Sequence, residues 1–179
     1  MNLPNFVTLI RILLVPVFLI SLLSYQRGLE TYRYFACGCF FLASVTDMLD
    51  GMLARFTRCQ TDLGRFLDPL ADKLLLLSGY IGILFVPDLP YRPPIWITVV
   101  IVFRDLIVVM GLFMIFVASG RLQVEPNLLG KFSTAFQMVT LVMILLCLPL
   151  SVLMWNLTAI LTIASGFVYI FRDFAKLKL

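Results

Sequence analysis

Histidine is absent from this chain of 179 residues, and charged residues make up only 13% of it. Without imidazole, a zinc or copper centre of the usual nitrogen-rich kind has no ligands to draw on. So little charge, set against 61% hydrophobic residues and a mean hydropathy of +1.03, excludes an ordinary soluble domain. The four cysteines have no metal spacing: Cys37 and Cys39 are two apart in an apolar run and diverge by about 200° on a helix. They read as small buried hydrophobes, as do Cys59 and Cys147. A cleavable leader is not expected, because Met1 to Ser24 lacks a basic start and a small-residue cleavage site and is interrupted by Arg11. Internal repeats and low-complexity stretches are also missing. The net charge of +4 is spread over short loops with no groove-reading or stacking motif, so anionic lipid rather than nucleic acid is the expected partner.

What remains is a succession of apolar runs, each about the 20 residues that a bilayer requires. The expected architecture is an all-α integral membrane protein with about six transmembrane helices, forming one domain over residues 1–179. The spans are placed at Phe6–Ser24, Tyr32–Leu53, Phe66–Phe85, Ile95–Ala118, Leu128–Leu148 and Val152–Phe171. Pro16 is a possible kink, Pro69 is tolerable only in a first helical turn, and Trp96 is a plausible interface anchor. Arg55, Arg58, Arg65, Arg121, Lys131, Arg172, Lys176 and Lys178 fall on one side, against Arg27, Arg33 and Arg92 on the other. By the positive-inside rule both termini are cytoplasmic.

Charge concentrates between Asp47 and Asp72. On a helix, Asp47, Asp50, Gly51 and Ala54 lie at i, i+3, i+4 and i+7, so two carboxylates share a face with two small residues. Gly64, Asp68 and Asp72 repeat the pattern at i, i+4, i+8. Four carboxylates gathered near a bilayer repel one another unless a cation neutralises them, and oxygen-only ligands suit Mg²⁺, Mn²⁺ or Ca²⁺. The plainer alternative is four solvated acids at two helix ends. The interleaved glycine and alanine weigh against it, since they leave room for a ligand to approach.

The pattern Asp47-x-x-Asp50-Gly51-x-x-Ala54-Arg55, then Gly64-x-x-x-Asp68-x-x-x-Asp72, resembles the complete signature of the CDP-alcohol phosphotransferases. Leu3-Pro4-Asn5-Phe6 through Arg11, and Gly130-Lys131 with Thr134 to Gln137, are similar to the phosphatidylglycerophosphate synthases and the related cardiolipin synthases. The resemblance implies transfer of a phosphatidyl group from CDP-diacylglycerol to a glycerol-type acceptor, with release of CMP. It implies two divalent ions, Mg²⁺ or Mn²⁺, bridged by Asp47 and Asp68, with Asp50 and Asp72 completing their shells and Asp72 also acting as general base. Asp47, Gly51, Ala54, Arg55 and Gly64 would bind the CDP donor, Gly64 by letting its loop close on the nucleotide. A homodimer in the cytoplasmic membrane, with its active site facing the cytoplasm, is usual for the family.

For the acceptor, Arg11, Arg104 and Lys131 are the candidate anion site, although Arg104 in mid-span has a structural alternative as the partner of a carboxylate. Where phosphatidylglycerophosphate synthases commonly carry a second arginine about two turns after Arg104, this chain has Leu112, and Asp105 stands where glutamate is usual. Cardiolipin synthases also lack that arginine. The favoured acceptor is glycerol 3-phosphate, with phosphatidylglycerol the alternative. A divalent-cation channel or transporter would explain the acids, but not Gly51, Ala54, Arg55 and Gly64.

Overall fold

The computed structural model describes residues 3–57, 62–119 and 128–177, with side chains over 10–46, 73–111, 113–114, 128–169 and 171. Six helices occupy the described residues: α1 (Leu3–Leu23), α2 (Glu30–Thr57), α3 (Asp62–Leu84), α4 (Ile95–Ser119), α5 (Leu128–Leu145) and α6 (Ser151–Leu177). Helix order in the sequence is not order in space. α1 packs on α2, α2 on α5, α5 on α6, α6 on α4, α4 on α3 and α3 back on α1, which closes a ring. α3 also reaches across to α2 and α5.

The helices stop where their chemistry stops them. After α1, a turn closes with the Leu29 amide donating to the Gln26 carbonyl at 2.9 Å, and Gly28 takes the φ of +98° that a side chain would resist. α5 ends three residues before the expected Leu148, because Cys147 adopts a left-handed φ of 55°. The Cys147 amide then bonds the Ile144 carbonyl at 2.9 Å and the Leu148 amide bonds the Met143 carbonyl at 3.0 Å, the paired pattern that terminates a helix before Pro149. Arg33 of α2 supports the same end, donating from Nη1 to the Leu145 carbonyl at 3.1 Å and pairing with Glu30 at 2.8 Å. A cation is well placed there against the negative end of the α5 dipole.

Two boundaries correct the expected spans. α2 continues to Thr57 rather than giving way to a loop at Arg55, since Met52, Leu53, Ala54 and Arg55 are all strong helix formers. α3 begins at Asp62, where an acidic residue suits the positive helix end, so Pro69 lies in its second turn rather than its first. Pro69 has no N–H to give the Arg65 carbonyl. Of the expected loop Arg55–Arg65, Arg55 to Thr57 and Asp62 onward are helical, and residues 58–61, Cys59 among them, lie outside the described residues. α1 likewise runs through Pro16.

The interior is built from Phe18, Leu22, Phe40, Leu75, Tyr80, Ile97 and Leu141, with the Phe18 and Phe40 rings tilted at 48° and their centroids 5.8 Å apart. Two glycines let α3 approach its neighbours. A Cβ on Gly79 would stand 2.5 Å from Leu141 Cδ2 of α5, and one on Gly82 would stand 2.9 Å from Leu22 Cδ2 of α1. Polar groups line the inside: Ser133 and Thr162 hydroxyls meet at 3.1 Å, and Thr140 and Thr158 at 2.7 Å, stitching α5 to α6. The outer surface carries Ile20, Phe85, Ile95, Phe103, Ile160 and Phe171, and Trp96 is exposed at the start of α4. Apolar outside with satisfied polar pairs inside is the distribution that lipid favours. α5 and the Ser151–Tyr169 part of α6 are by themselves long and apolar enough to cross a bilayer; α1 and α3 contain shorter apolar stretches.

Of the cysteines expected in the interior, Cys39 is buried, while Cys37 and Cys147 are half-buried.

Candidate active site

Asp47, Asp50, Gly51, Ala54 and Arg55 all fall within the last three turns of α2. Gly64, Asp68 and Asp72 fall within the first three turns of α3. Only residues 58–61 separate the two helices, so the C-terminal end of α2 and the N-terminal end of α3 lie at the same end of the bundle, and these helices pack on one another. Gly64 thus belongs to a helical first turn, not to a loop. The side chains of all eight residues lie outside the described ones. Their placement on two adjoining helix ends rests on the backbone and on helical spacing.

The side chain immediately after the motif is described. Lys73 is buried and donates from Nζ to Asp105 Oδ2 of α4 and to Thr134 Oγ1 of α5, both at 3.0 Å. Asp105 is wholly buried, and its other oxygen receives Arg104 Nη1 at 2.7 Å. One carboxylate therefore holds two cations, and α3, α4 and α5 are tied together one residue beyond Asp72. Such a cluster holds only while complete, since removing one partner of a buried pair leaves a charge uncompensated at a cost of about 3–5 kcal/mol. Arg104 Nε is buried and has no partner among the described residues.

Of the three candidate acceptor residues, Arg104 is thus committed in part to Asp105, in keeping with the pairing alternative. Arg11 on α1 is almost wholly buried, and Lys131 stands exposed on α5. Lys73 was not among the residues read from the sequence as functional. Its signal was available: it is an ionisable residue entering the apolar run Leu74–Leu77, where charge is retained only for a partner. Thr134 had been noted only as part of a resemblance.

The acidic helix ends and the absence of histidine describe a donor set of carboxylates alone, which fits a hard divalent cation. Over residues 1–168 the chain matches the sequence pattern of the CDP-alcohol phosphatidyltransferases. The chain belongs to this family. Among its relatives in the family is the CDP-diacylglycerol–glycerol-3-phosphate 3-phosphatidyltransferase of Bacillus subtilis (strain 168), 34% identical and covering 99% of this chain and 97% of that protein. A probable phosphatidylglycerophosphate synthase of Mycobacterium tuberculosis (strain ATCC 25618 / H37Rv) is 36% identical, over 96% of this chain and 81% of its own length. A CMP-forming cardiolipin synthase of Streptomyces coelicolor is 34% identical, but over 75% of this chain and 60% of its own. As a CDP-alcohol phosphatidyltransferase the chain is an enzyme of phospholipid synthesis, and the acidic stretches of α2 and α3 lie inside the matched range.

Proposed function

We propose that the protein transfers the phosphatidyl group of CDP-diacylglycerol to glycerol 3-phosphate, giving phosphatidylglycerophosphate and CMP. The observation that carries this reading is the unbroken run of signature residues, Asp47 to Asp72, distributed over two adjoining helix ends. The choice of acceptor is supported by end-to-end similarity to relatives named for glycerol 3-phosphate.

In the reaction, the acceptor hydroxyl oxygen forms a bond to the phosphatidyl phosphorus while the bond from that phosphorus to the CMP oxygen breaks. Asp72 takes the hydroxyl proton, and CMP departs with the bonding electron pair. Asp47, Asp50, Asp68 and Asp72 would hold two divalent ions, Mg²⁺ or Mn²⁺, which when bound would supply charge neutralisation for the diphosphate and the departing CMP. Asp47, Gly51, Ala54, Arg55 and Gly64 bind the CDP end of the donor, the small residues by leaving room and Arg55 by its charge. Lys73 fixes the first turns of α3 against Asp105 and so positions Asp72. Arg104, Arg11 and Lys131 furnish positive charge for the acceptor phosphate.

The whole of residues 1–179 acts as one domain with six spans, both termini and the aspartates on the cytoplasmic side of the cytoplasmic membrane, as a homodimer. The surplus of lysine and arginine at that end supports this orientation. Phosphatidylglycerol is the second reading for the acceptor, favoured by Leu112 in place of an arginine and by the likeness to a cardiolipin synthase. Purified protein supplied with CDP-diacylglycerol and either acceptor separates the two. CMP release and phosphatidylglycerophosphate by mass spectrometry are expected with glycerol 3-phosphate; cardiolipin from phosphatidylglycerol alone would reverse the assignment.

A further inference from the structure

Two openings among the described residues differ in chemistry. The groove between α4 and α6 is walled mainly by hydrocarbon. The other is a cavity of about 560 Å³ where the turn after α1 meets the segment joining α3 to α4, and the only polar side chains on its wall are those of Arg27 and Arg92. Both arginines stand on stiff frames. Arg27 lies in the turn that the Leu29 amide closes on the Gln26 carbonyl, with Gly28 at positive φ. Arg92 stands between Pro90 and the Pro93–Pro94 pair, whose rings fix the backbone, and the segment is pinned to the core by Leu89, which is 3% exposed. No acid is on the wall: Asp88 of the same segment is not part of it, and Glu30, just beyond the first turn, is paired with Arg33 at 2.8 Å. Arg27 and Arg92 have no hydrogen-bond or ion-pair partner among the described residues.

Two guanidiniums held around one cavity repel each other, and Ile95 brings the positive end of the 25-residue α4 to the same wall. An oxyanion relieves all of this, and the planar fork of arginine matches the oxygens of a phosphate. Volume and setting name what carries that phosphate. A free phosphate ion would leave most of the cavity empty, whereas its size falls within the ~300–1,000 Å³ that small-molecule sites occupy. Around the opening, Phe85 and Ile95 are exposed by 70% and 69%, and Trp96 is exposed beside them. Exposed hydrocarbon and an indole at the end of a span are what a lipid meets at the level of its headgroup. A zwitterionic headgroup would bring an ammonium among these positive groups, so the headgroup that fits is anionic. We propose that the cavity between the α1–α2 turn and the α3–α4 segment binds the phosphate of an anionic phospholipid, Arg27 and Arg92 holding its oxygens. The 23 residues of α3 put roughly 34 Å between this cavity and the start of that helix, so the site is separate from the acidic motif and does not rest on the reaction proposed above.

The test is lipid retention by the full-length protein in detergent, read by native mass spectrometry with phosphatidylglycerol and phosphatidylcholine of identical chains. The wild type is expected to hold phosphatidylglycerol at least about fivefold better, the factor that two solvent-exposed charge contacts supply. The double variant Arg27→Gln, Arg92→Gln should lose most of that preference, with an unchanged melting temperature because neither side chain has a described partner to lose. Arg27→Lys with Arg92→Lys, which keeps the charge, should retain part of it. Should the double variant melt lower, Arg27→Gln and Arg92→Gln are read singly, each with a partial loss expected. Inorganic phosphate at millimolar concentration is the second probe, and it should leave phosphatidylglycerol bound. Equal retention of the two lipids by the wild type, a preference undiminished when both arginines are replaced, or displacement of the lipid by inorganic phosphate overturns the proposal. CMP release from CDP-diacylglycerol and glycerol 3-phosphate is measured separately and should be the same for wild type and double variant, so failure of that reaction leaves the lipid result standing or falling by itself.

Discussion

Asp105 is a wholly buried carboxylate on which two cations meet. It receives Lys73 from α3 and Arg104 from its own helix, and both cations are buried. Asp105→Asn leaves two cations sharing a neutral amide, so thermal unfolding in detergent should show a loss of about 3–5 kcal/mol. A melting temperature unchanged from wild type would mean that water or other groups already serve Lys73 and Arg104. At the other end of the bundle, Cys147 reports its surroundings through its thiol. Burial pushes its pKa up, and Arg33 opposes the shift without cancelling it. Because the thiolate is the reactive form, alkylation of Cys147 in a Cys37→Ala, Cys39→Ala, Cys59→Ala background should be several-fold slower at pH 8 than that of a peptide thiol and should quicken as pH rises. Labelling as fast as the peptide would show that the site is open to water. Arg33→Gln removes the opposing charge and should slow the reaction further.

In the proposed site the chemistry falls on a pair of helices. The aspartates stand on the last turns of α2 and the first turns of α3, two segments that repel unless cations lie between them. Asp47→Asn or Asp68→Asn should therefore abolish CMP release without lowering the melting temperature, and chelation by EDTA should do the same reversibly, with Mg²⁺ or Mn²⁺ restoring turnover. Near-wild-type turnover of either variant at low Mg²⁺ would remove that residue from the metal site. A different kind of contact sets the distance between α3 and α5. Gly79→Leu would drive a side chain into Leu141, so it should destabilise the protein by about 1–3 kcal/mol or more. If the variant melts with the wild type, the two helices are less closely packed in solution than the 2.5 Å approach implies.

For the whole molecule, the six helices close a ring in the order α1, α2, α5, α6, α4, α3, with polar pairs inside and hydrocarbon outside. The amino-acid order by itself determined the helical class and helix positions to within a few residues, because hydropathy runs and helical spacing are local properties. Helix ends were less legible. Glycine, proline and charge mark breaks in the sequence, but α2 propagated through Arg55 and α3 accommodated Pro69, since a helix continues wherever its neighbours supply packing. Arg104 reads in the sequence as an anion-site candidate with carboxylate pairing as the alternative, and that Asp105 holds it together with Lys73 from 32 residues away followed only from the way α3 and α4 meet. The groove between α4 and α6 is likewise a product of tertiary structure. Its walls come from residues about 60 positions apart in the chain, and no local pattern encodes the gap that two helices leave when Tyr169 rests on Gly111 and Gly166 faces the Arg104 stem.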